Sequence, residues 1–142
     1  MNNLRYAGFW RRAVALWIDS AILNAVASVF LMGYLGALGV SVTDVGGTTM
    51  QLMGVGAYAC FAFPYYTIAH YRWGFTLGKR LMRVRVVDAR TGVALSAAQS
   101  IGRTLATILS YLFFGIGYLM AAWDPQKRSL HDRLCSTICV RF

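Results

Sequence analysis

An arginine and an aspartate in the first apolar stretch are the residues of this chain best placed to do chemistry. Arg12 opens the stretch and Asp19 follows it by seven residues, so on a helix both share one face, about 10 Å apart along the axis. A carboxylate deep in a bilayer opposes insertion by up to about 3 kcal/mol, so it needs a partner or a shallow position. Such carboxylates handle ions or protons, or clamp helices together. We predict one of these two roles for Asp19.

The cation that faces Asp19 is expected to come from another segment. Helical side chains lean toward the N-terminus, so Asp19 leans toward Arg12 while Arg12 leans away from it, toward the interface. Arg103, at the mouth of a later apolar stretch, is the predicted partner. Asn24 adds polar capacity on the same helix as Asp19.

A glycine-rich basic segment from Gly74 to Arg80 looks at first like a phosphate-binding loop. Its first glycine is one residue too close to Lys79, and Arg80 stands where a Ser or Thr would bind magnesium. The segment therefore indicates no nucleotide site. We predict a hinged connection that places Lys79 and Arg80 on anionic headgroups.

The tail holds a second polar cluster, with His131 beside Asp132. This pair could relay protons, although a histidine in a charged loop is more often simply solvated. Cys135 and Cys139 lie nearby, but their spacing is not the Cys-x-x-Cys of zinc sites. We predict no metal and no cofactor. Because no nucleophile–base pair or cofactor loop is found, we also predict that the chain is not an enzyme.

The composition identifies the environment in which these residues work. The chain has 142 residues, of which 58% are hydrophobic and only 13% charged, whereas soluble domains have about 25% charged residues. Its net charge of +9 comes from 14 Lys and Arg against 5 Asp and Glu. In so apolar a chain this excess indicates the positive-inside bias and anionic lipid headgroups, not nucleic acid.

The hydropathy pattern predicts a mainly α, helical membrane protein that forms a single domain over 1–142. Its predicted segments are a span at about 13–40, a second span at about 50–71, a basic cytoplasmic segment at 72–103, a third apolar segment at 105–123 and a cytoplasmic tail at 124–142. The first span is a retained anchor and not a cleaved signal, because Asp19 interrupts it and the apolar run continues. Pro64 should kink the second span.

Two alternatives remain for the third apolar segment. A third crossing would carry the basic tail outside, against the positive-inside rule, whereas a re-entrant hairpin bending at Gly115 and Gly117 keeps the tail in the cytoplasm. We favour the hairpin, because each arm would have about ten residues, roughly 15 Å of helix, which is too short to span. The N-terminus is then cytoplasmic, as is the C-terminus.

A small cytoplasmic β element is expected beside these helices. Residues 83–88 alternate with strand period, Val93-Ala94-Leu95 can return as a second strand, and the β-branched end at 135–140 also reads as a strand. If that end pairs with residues 83–88, both lie on one face of the membrane.

The same residues resemble the RDD family of small bacterial membrane proteins, named for an arginine and two aspartates. The resemblance is carried by Arg12 and Asp19 in the first span, by Thr76-Leu77-Gly78-Lys79-Arg80 with the following Val84-Arg85-Val86-Val87, by Arg103, and by Ser129 to Leu134 with Thr137. It implies that the family arginine is Arg12 and that the two aspartates are Asp19 and Asp132. Two departures are Arg83, where the family often has Gly, and Cys135-Ser136, where it has Ala-Gly.

The resemblance implies residence in the bacterial cytoplasmic (inner) membrane and leaves two functions open. Some members are reported to resemble monovalent cation/proton antiporters, which would make Asp19 the exchanging carboxylate. The alternative is an accessory or assembly subunit of a larger membrane complex, with the charges as clamps. Transport by so few spans would need oligomerisation through small-residue faces such as Gly33, Gly36, Ala37 or Gly54, Ala57.

Overall fold

The computed structural model describes residues 6–112, 120, 123–125 and 127–142, and these are mainly helical. The elements are α1 (Phe9–Ala37), a 3-10 helix (Val42–Asp44), α2 (Gly47–Arg72), α3 (Leu77–Leu81), β1 (Val84–Asp88), α4 (Ala97–Leu112), α5 (Leu130–Leu134) and β2 (Thr137–Arg141). They fall into two compact units, Ser20–Tyr65 and a second unit made of Met1–Asp19 with Tyr66–Phe142.

Among the residues that the structure describes, helices α1 and α2 are the two elements long and apolar enough to cross a membrane. They have 29 and 26 residues, about 44 and 39 Å at 1.5 Å per residue, against a hydrocarbon thickness of about 30 Å. The two predicted spans are thus helical, although α1 ends at Ala37 and α2 begins at Gly47. Pro64 lies inside α2, as the sequence predicts.

The unit Ser20–Tyr65 is a pair of helical segments with an apolar exterior. Its buried residues recur at every fourth position of α1, from Leu23 through Ala27 to Leu31. Val29 is 75% exposed and Leu52 68% exposed. Large side chains of this kind are unfavourable in water but match a hydrocarbon solvent.

The second unit contains a two-stranded antiparallel sheet in which β1 pairs with β2. The predicted pairing of the tail with residues 83–88 is confirmed, with Val86 opposite Cys139. The N-terminal segment joins this sheet, because Tyr6 bridges to Val140 and the Ala7 N–H donates to the Cys139 carbonyl at 2.9 Å.

The predicted strand at Val93-Ala94-Leu95 is wrong, since these residues have no strand structure. The Val93 carbonyl accepts a hydrogen bond from the Asp88 N–H, and Leu95 packs into the apolar core of the sheet. The tail pairs with β1 instead, and the four side chains from Thr137 to Val140 in its strand are all buried.

Helix α4 covers the beginning of the predicted third apolar segment, up to Leu112. The proposed bend at Gly115 and Gly117 lies outside the described residues, as do 113–119 and 121–122 as a whole.

An internal repeat, which inspection of the sequence missed, organises the second unit. Thr76-Leu-Gly-Lys-Arg-Leu and Ser129-Leu-His-Asp-Arg-Leu each form an N-cap and a short helix, followed by a strand. The two C-caps, Met82 and Cys135, have nearly the same backbone angles and matching hydrogen bonds. Equivalent residues Val86 and Cys139 face each other across the sheet. An approximate two-fold axis therefore passes through this pair.

The residue after each C-cap has a left-handed backbone, with φ of 54° at Arg83 and 51° at Ser136. These are the two positions where the resemblance described above implies a Gly, often at Arg83 and usually at Ser136. A side chain at such a position costs roughly 1 kcal/mol, whereas Gly adopts the conformation freely but loses more entropy on folding.

We therefore expect Arg83→Gly and Ser136→Gly each to raise the unfolding free energy by up to about 1 kcal/mol. Thermal unfolding in detergent measures this. Arg141→Gly, in β2, is the control and should lower stability, because Gly weakens a strand. Destabilisation at Arg83 and Ser136 comparable to that at Arg141 would contradict the explanation.

Candidate functional site

Asp132 is the centre of a buried ionic network. It is the third residue of α5, its carboxylate is fully buried, and it accepts hydrogen bonds from the Ser129 N–H at 3.0 Å and the Ser129 hydroxyl at 2.7 Å. Ser129 is the N-cap of the helix, so the carboxylate reaches back over the first turn, as in a capping box. Local helix-start chemistry therefore fixes the position of the charge.

Two guanidinium groups converge on this carboxylate from distant parts of the chain. Arg12 in the first turn of α1 donates from Nη1 to Asp132 Oδ2 at 2.6 Å, and Arg103 in α4 donates to Oδ1. Arg103 also contacts the Thr137 hydroxyl, and Arg12 Nε donates to the Ala7 carbonyl at 3.1 Å. All three ionic side chains are at least nine-tenths buried. Charge-assisted bonds of this kind are strong, but they become costly if one partner is removed.

Burial and the neighbouring charges shift the pKa values of Asp132 and His131. Burial alone would raise the pKa of Asp132, but Arg103, His131 and Arg12 outweigh it and hold that pKa well below its usual range. Burial lowers the pKa of His131 to about 3, and Arg103 adds to the effect. His131 is thus a buried, neutral imidazole 2.8 Å from the Ser129 hydroxyl, and the expectation of a solvated loop histidine is wrong.

The Asp19 carboxylate is bound at the start of the first copy of the repeat, whereas Asp132 belongs to the second copy. Its carboxylate is 1% exposed and accepts hydrogen bonds from the Thr76 hydroxyl at 2.5 Å and from the Gly78 N–H at 2.8 Å. Thr76 is the N-cap of α3, so α1 docks its carboxylate on the start of that short helix. Arg103 forms an ion pair with Asp132, a partner that the sequence did not predict for it.

Lys79 and His70 form a second polar contact, with Lys79 Nζ 2.6 Å from His70 Nε2. Burial lowers the pKa of Lys79 to about 8, with a further contribution from Arg103. No carboxylate lies within ion-pair distance of Lys79 in the part of the chain that the structure describes. Lys79 can therefore gain or lose a proton not far above neutral pH.

These groups line one cavity of about 230 Å³. Its charged and titratable walls come from six elements. They are Arg12 and Asp19 on α1, Tyr66 and His70 on α2, Lys79 on α3, Arg103 on α4, His131 on α5 and Cys139 on β2. Phe9, Leu16 and Trp17 supply an apolar side. The arrangement can hold a small polar or charged species and move protons at its edge.

The sequence named most of this site. Arg12, Asp19, Lys79, Arg103 and His131 line the cavity, and Asp132 lies behind it, bound to both arginines. Two supporting residues lie elsewhere. Asn24 belongs to the other unit, where its amide donates to the Ser20 carbonyl, and Arg80 is exposed, with its guanidinium 5.8 Å from the Phe75 ring centre.

Four residues of the site were missed: His70, Thr76, Gly78 and Ser129. Thr76 and Ser129 had a signal, since each precedes a Leu-x-x-Arg-Leu segment as an N-cap would. Among the described residues, no group of three or more His, Cys, Asp or Glu side chains could hold a metal ion.

Comparison with known proteins identifies the family of the chain. The RDD family model matches residues 6–136. The uncharacterised protein YxaI of Bacillus subtilis is 30% identical, with 94% of this chain and 96% of YxaI covered. A proline-rich antigen homolog of Mycobacterium tuberculosis is 28% identical over 68% of this chain, which corresponds to 40% of that protein. No solved structure matches the chain. With two helices able to span a bilayer, this membrane-type chain belongs to the RDD family.

Proposed function

We propose that the protein handles ions in the bacterial cytoplasmic membrane and couples this to proton exchange at the charged cavity. One observation carries the proposal: Asp19, His70, Lys79 and His131 line the same cavity, so a change of proton at one alters the field at the others. Lys79 can respond near neutral pH, because burial lowers its pKa to about 8. Monovalent cation/proton antiport with Asp19 as the exchanging carboxylate is one form of this proposal.

The repeat supports the same reading. Secondary transporters place their sites between repeated halves, often beside the starts of interrupted helices. Here the cavity is lined by Lys79 from the first repeat and by Ser129, His131 and Cys139 from the second. Each repeat begins with a short capped helix that holds a buried carboxylate.

We further propose that the N-terminus, the basic segment and the tail all lie on the cytoplasmic side. Support comes from the pairing of β1 with β2 and from the bridge of Tyr6 to Val140. Exposed Arg72, Arg80 and Arg85 then face anionic headgroups. A tag at the C-terminus should be accessible only in inside-out vesicles, and access from the periplasm would refute this topology.

Self-association is proposed for the small-residue faces of the apolar unit. Gly33, Gly36 and Gly54 each have nothing within 4 Å of an added Cβ, so these faces are uncovered in a single chain. Close helix approach at such residues drives association in membranes. Light scattering in detergent should give more than one copy per particle, and a strictly monomeric mass would exclude it.

The accessory-subunit function remains a second candidate because of one specific observation. Asp132 is saturated by two arginines, the Ser129 N–H and the Ser129 hydroxyl, which is what a purely structural clamp requires. On this reading the protein should co-purify with a larger membrane partner.

The test of ion handling uses Asp19→Asn in proteoliposomes. Asparagine keeps one acceptor oxygen for the Gly78 N–H and can donate from its NH2 to the Thr76 hydroxyl, which can also accept. It cannot take up a proton, so pH-driven ion flux should fall at least about tenfold. A pH-sensitive dye inside the vesicles measures proton movement. Asp44→Asn makes the same chemical change in the exposed 3-10 helix and should leave flux unchanged. Full flux in a folded Asp19→Asn protein would eliminate Asp19 as the exchanging group.

A further inference from the structure

The cavity of the second unit carries an excess of positive charge. Arg12, Arg103 and Lys79 contribute three positive charges, and Asp19 with Asp132 contribute two negative ones. His131 is neutral at pH 7. A cation entering this cavity would therefore meet net repulsion, whereas an anion would be attracted.

One donor of the network has no partner. Arg12 is 7% exposed, and its Nη1 and Nε atoms are bound to Asp132 and to the Ala7 carbonyl. Its Nη2 is buried without a hydrogen-bond partner among the described residues. An unmet donor in such a place is unfavourable by about 1–3 kcal/mol and calls for an explanation, such as a ligand.

Lys79 supplies a second source of donors on the same cavity. An ammonium group has three N–H donors, and the contact with His70 uses one of them. Arg12 on α1 and Lys79 on α3 both line the cavity, so a group bound there has two cationic side chains in its walls.

We propose that this cavity binds one small oxyanion, a phosphate or carboxylate group, through Arg12 Nη2 and Lys79 Nζ. This rests on the proposed ion handling, but it makes the bound ion an anion and so departs from the cation-antiport form of that proposal. Arg12 Nη2 offers a charge-assisted N–H donor, and the lysine adds a point charge. The volume of about 230 Å³ is many times the about 10–15 Å³ that a single water needs, so a group of this size can enter.

The apolar side of the cavity allows the oxyanion to be free or to be the head of a lipid. Phe9 and Leu16 line it, and Trp17, which is 80% exposed, lies at its mouth. Both sources present the same chemistry to Arg12 and Lys79, and the experiment separates them.

Binding should weaken as pH rises through about 8, where Lys79 loses its proton. The charged and titratable groups that act on Lys79 are Arg103 on α4, Asp132 on α5, Asp19 on α1, Cys139 on β2 and its neighbour His70 on α2. Because Arg12 and Arg103 remain charged, affinity should fall and not vanish.

The experiment measures the thermal stability of the delipidated full chain in neutral detergent during titration with sodium phosphate, against sodium chloride at equal ionic strength. Wild type should show a saturable rise in Tm with phosphate. Lys79→Met should weaken phosphate binding at least about tenfold. Arg12→Lys keeps a positive charge beside Asp132 but removes the Nη2 donor. It should therefore weaken phosphate binding by a similar factor. Arg128→Gln, outside the cavity, is the control and should bind as wild type does.

Native mass spectrometry separates the two sources of the oxyanion. A phosphatidylglycerol that stays bound to wild type but not to Lys79→Met identifies a lipid head, whereas phosphate binding without lipid retention identifies a free ion. Equal responses to phosphate and chloride in wild type and Lys79→Met would overturn the proposal. A saturable rise in Tm with sodium or potassium that is the same in wild type and Lys79→Met would also overturn the proposal. Phosphate binding without Asp19-dependent flux would refute the proposed function alone, and flux without oxyanion binding would refute this inference alone.

Discussion

Replacing Asp132 with asparagine is expected to remove most of the folded protein. The change leaves the guanidinium groups of Arg12 and Arg103 buried without a counter-charge, since asparagine offers one acceptor oxygen and no negative charge. Breaking a buried ionic group in this way costs about 3–5 kcal/mol, against a total stability of about 5–15 kcal/mol for a typical domain. Yield of monodisperse protein in detergent and the temperature of unfolding measure the loss.

Asp124→Asn is the matched control. Asp124 also pairs with two arginines, Arg128 at 3.0 Å and Arg133 at 2.5 Å, but their side chains are 33% and 44% exposed. These cations can turn to water when the carboxylate charge is lost, so the expected cost is about 1 kcal/mol. Equal losses at Asp132 and Asp124 would contradict the account of the buried network.

A triple replacement then separates a clamp from an ion site. Arg12→Met, Arg103→Met and Asp132→Leu together remove every charge of the triad and fill its space with apolar atoms, which often restores stability. If the charges only clamp helices, the triple variant should fold and keep its association with other membrane components. If they set the field of the cavity, it should fold but lose ion flux and phosphate binding.

The sequence predicted the members of the site better than their partners. Arg12 and Asp132 stand near opposite ends of the chain, and spacing within one helix cannot foresee a contact that depends on how the chain closes. Charge arguments sought a cation for Asp19, and they did not foresee the hydroxyl and the backbone N–H that donate to it. Neutral donors of this kind leave no charge pattern in a sequence.

The fold, like the site, was predicted only in part from the sequence. Length and hydropathy found the two long helices, because a stretch of apolar residues that spans a bilayer has few alternatives. The partner of β1 was ambiguous, since residues 93–95 and 137–141 both have strand-forming composition, and tertiary packing chose the latter. The repeat escaped notice because its two copies share caps and backbone angles more than residue types, with Lys79 equivalent to Asp132.

Replacing Gly78 with alanine is expected to separate α3 from α1. A Cβ at Gly78 would lie 2.1 Å from the Ala15 carbonyl oxygen and 3.1 Å from the Asp19 carboxyl carbon. The first contact is with backbone, which cannot rotate away as a side chain can. Overpacking costs about 1–3 kcal/mol, and the loss of the Gly78 N–H from Asp19 adds a similar amount.

The measurement for Gly78→Ala is again unfolding in detergent, together with flux from any protein that folds. Flux should fall as it does in Asp19→Asn, because the carboxylate loses its backbone donor. Gly56→Ala is the control, since its Cβ meets nothing within 4 Å inside α2 and should leave stability unchanged or raise it by up to about 1 kcal/mol. Adding Ala15→Gly should not rescue Gly78→Ala, because the clash is with a carbonyl and not with a side chain. Rescue by Ala15→Gly, or wild-type stability of Gly78→Ala, would show that α1 does not approach α3 through backbone at this point.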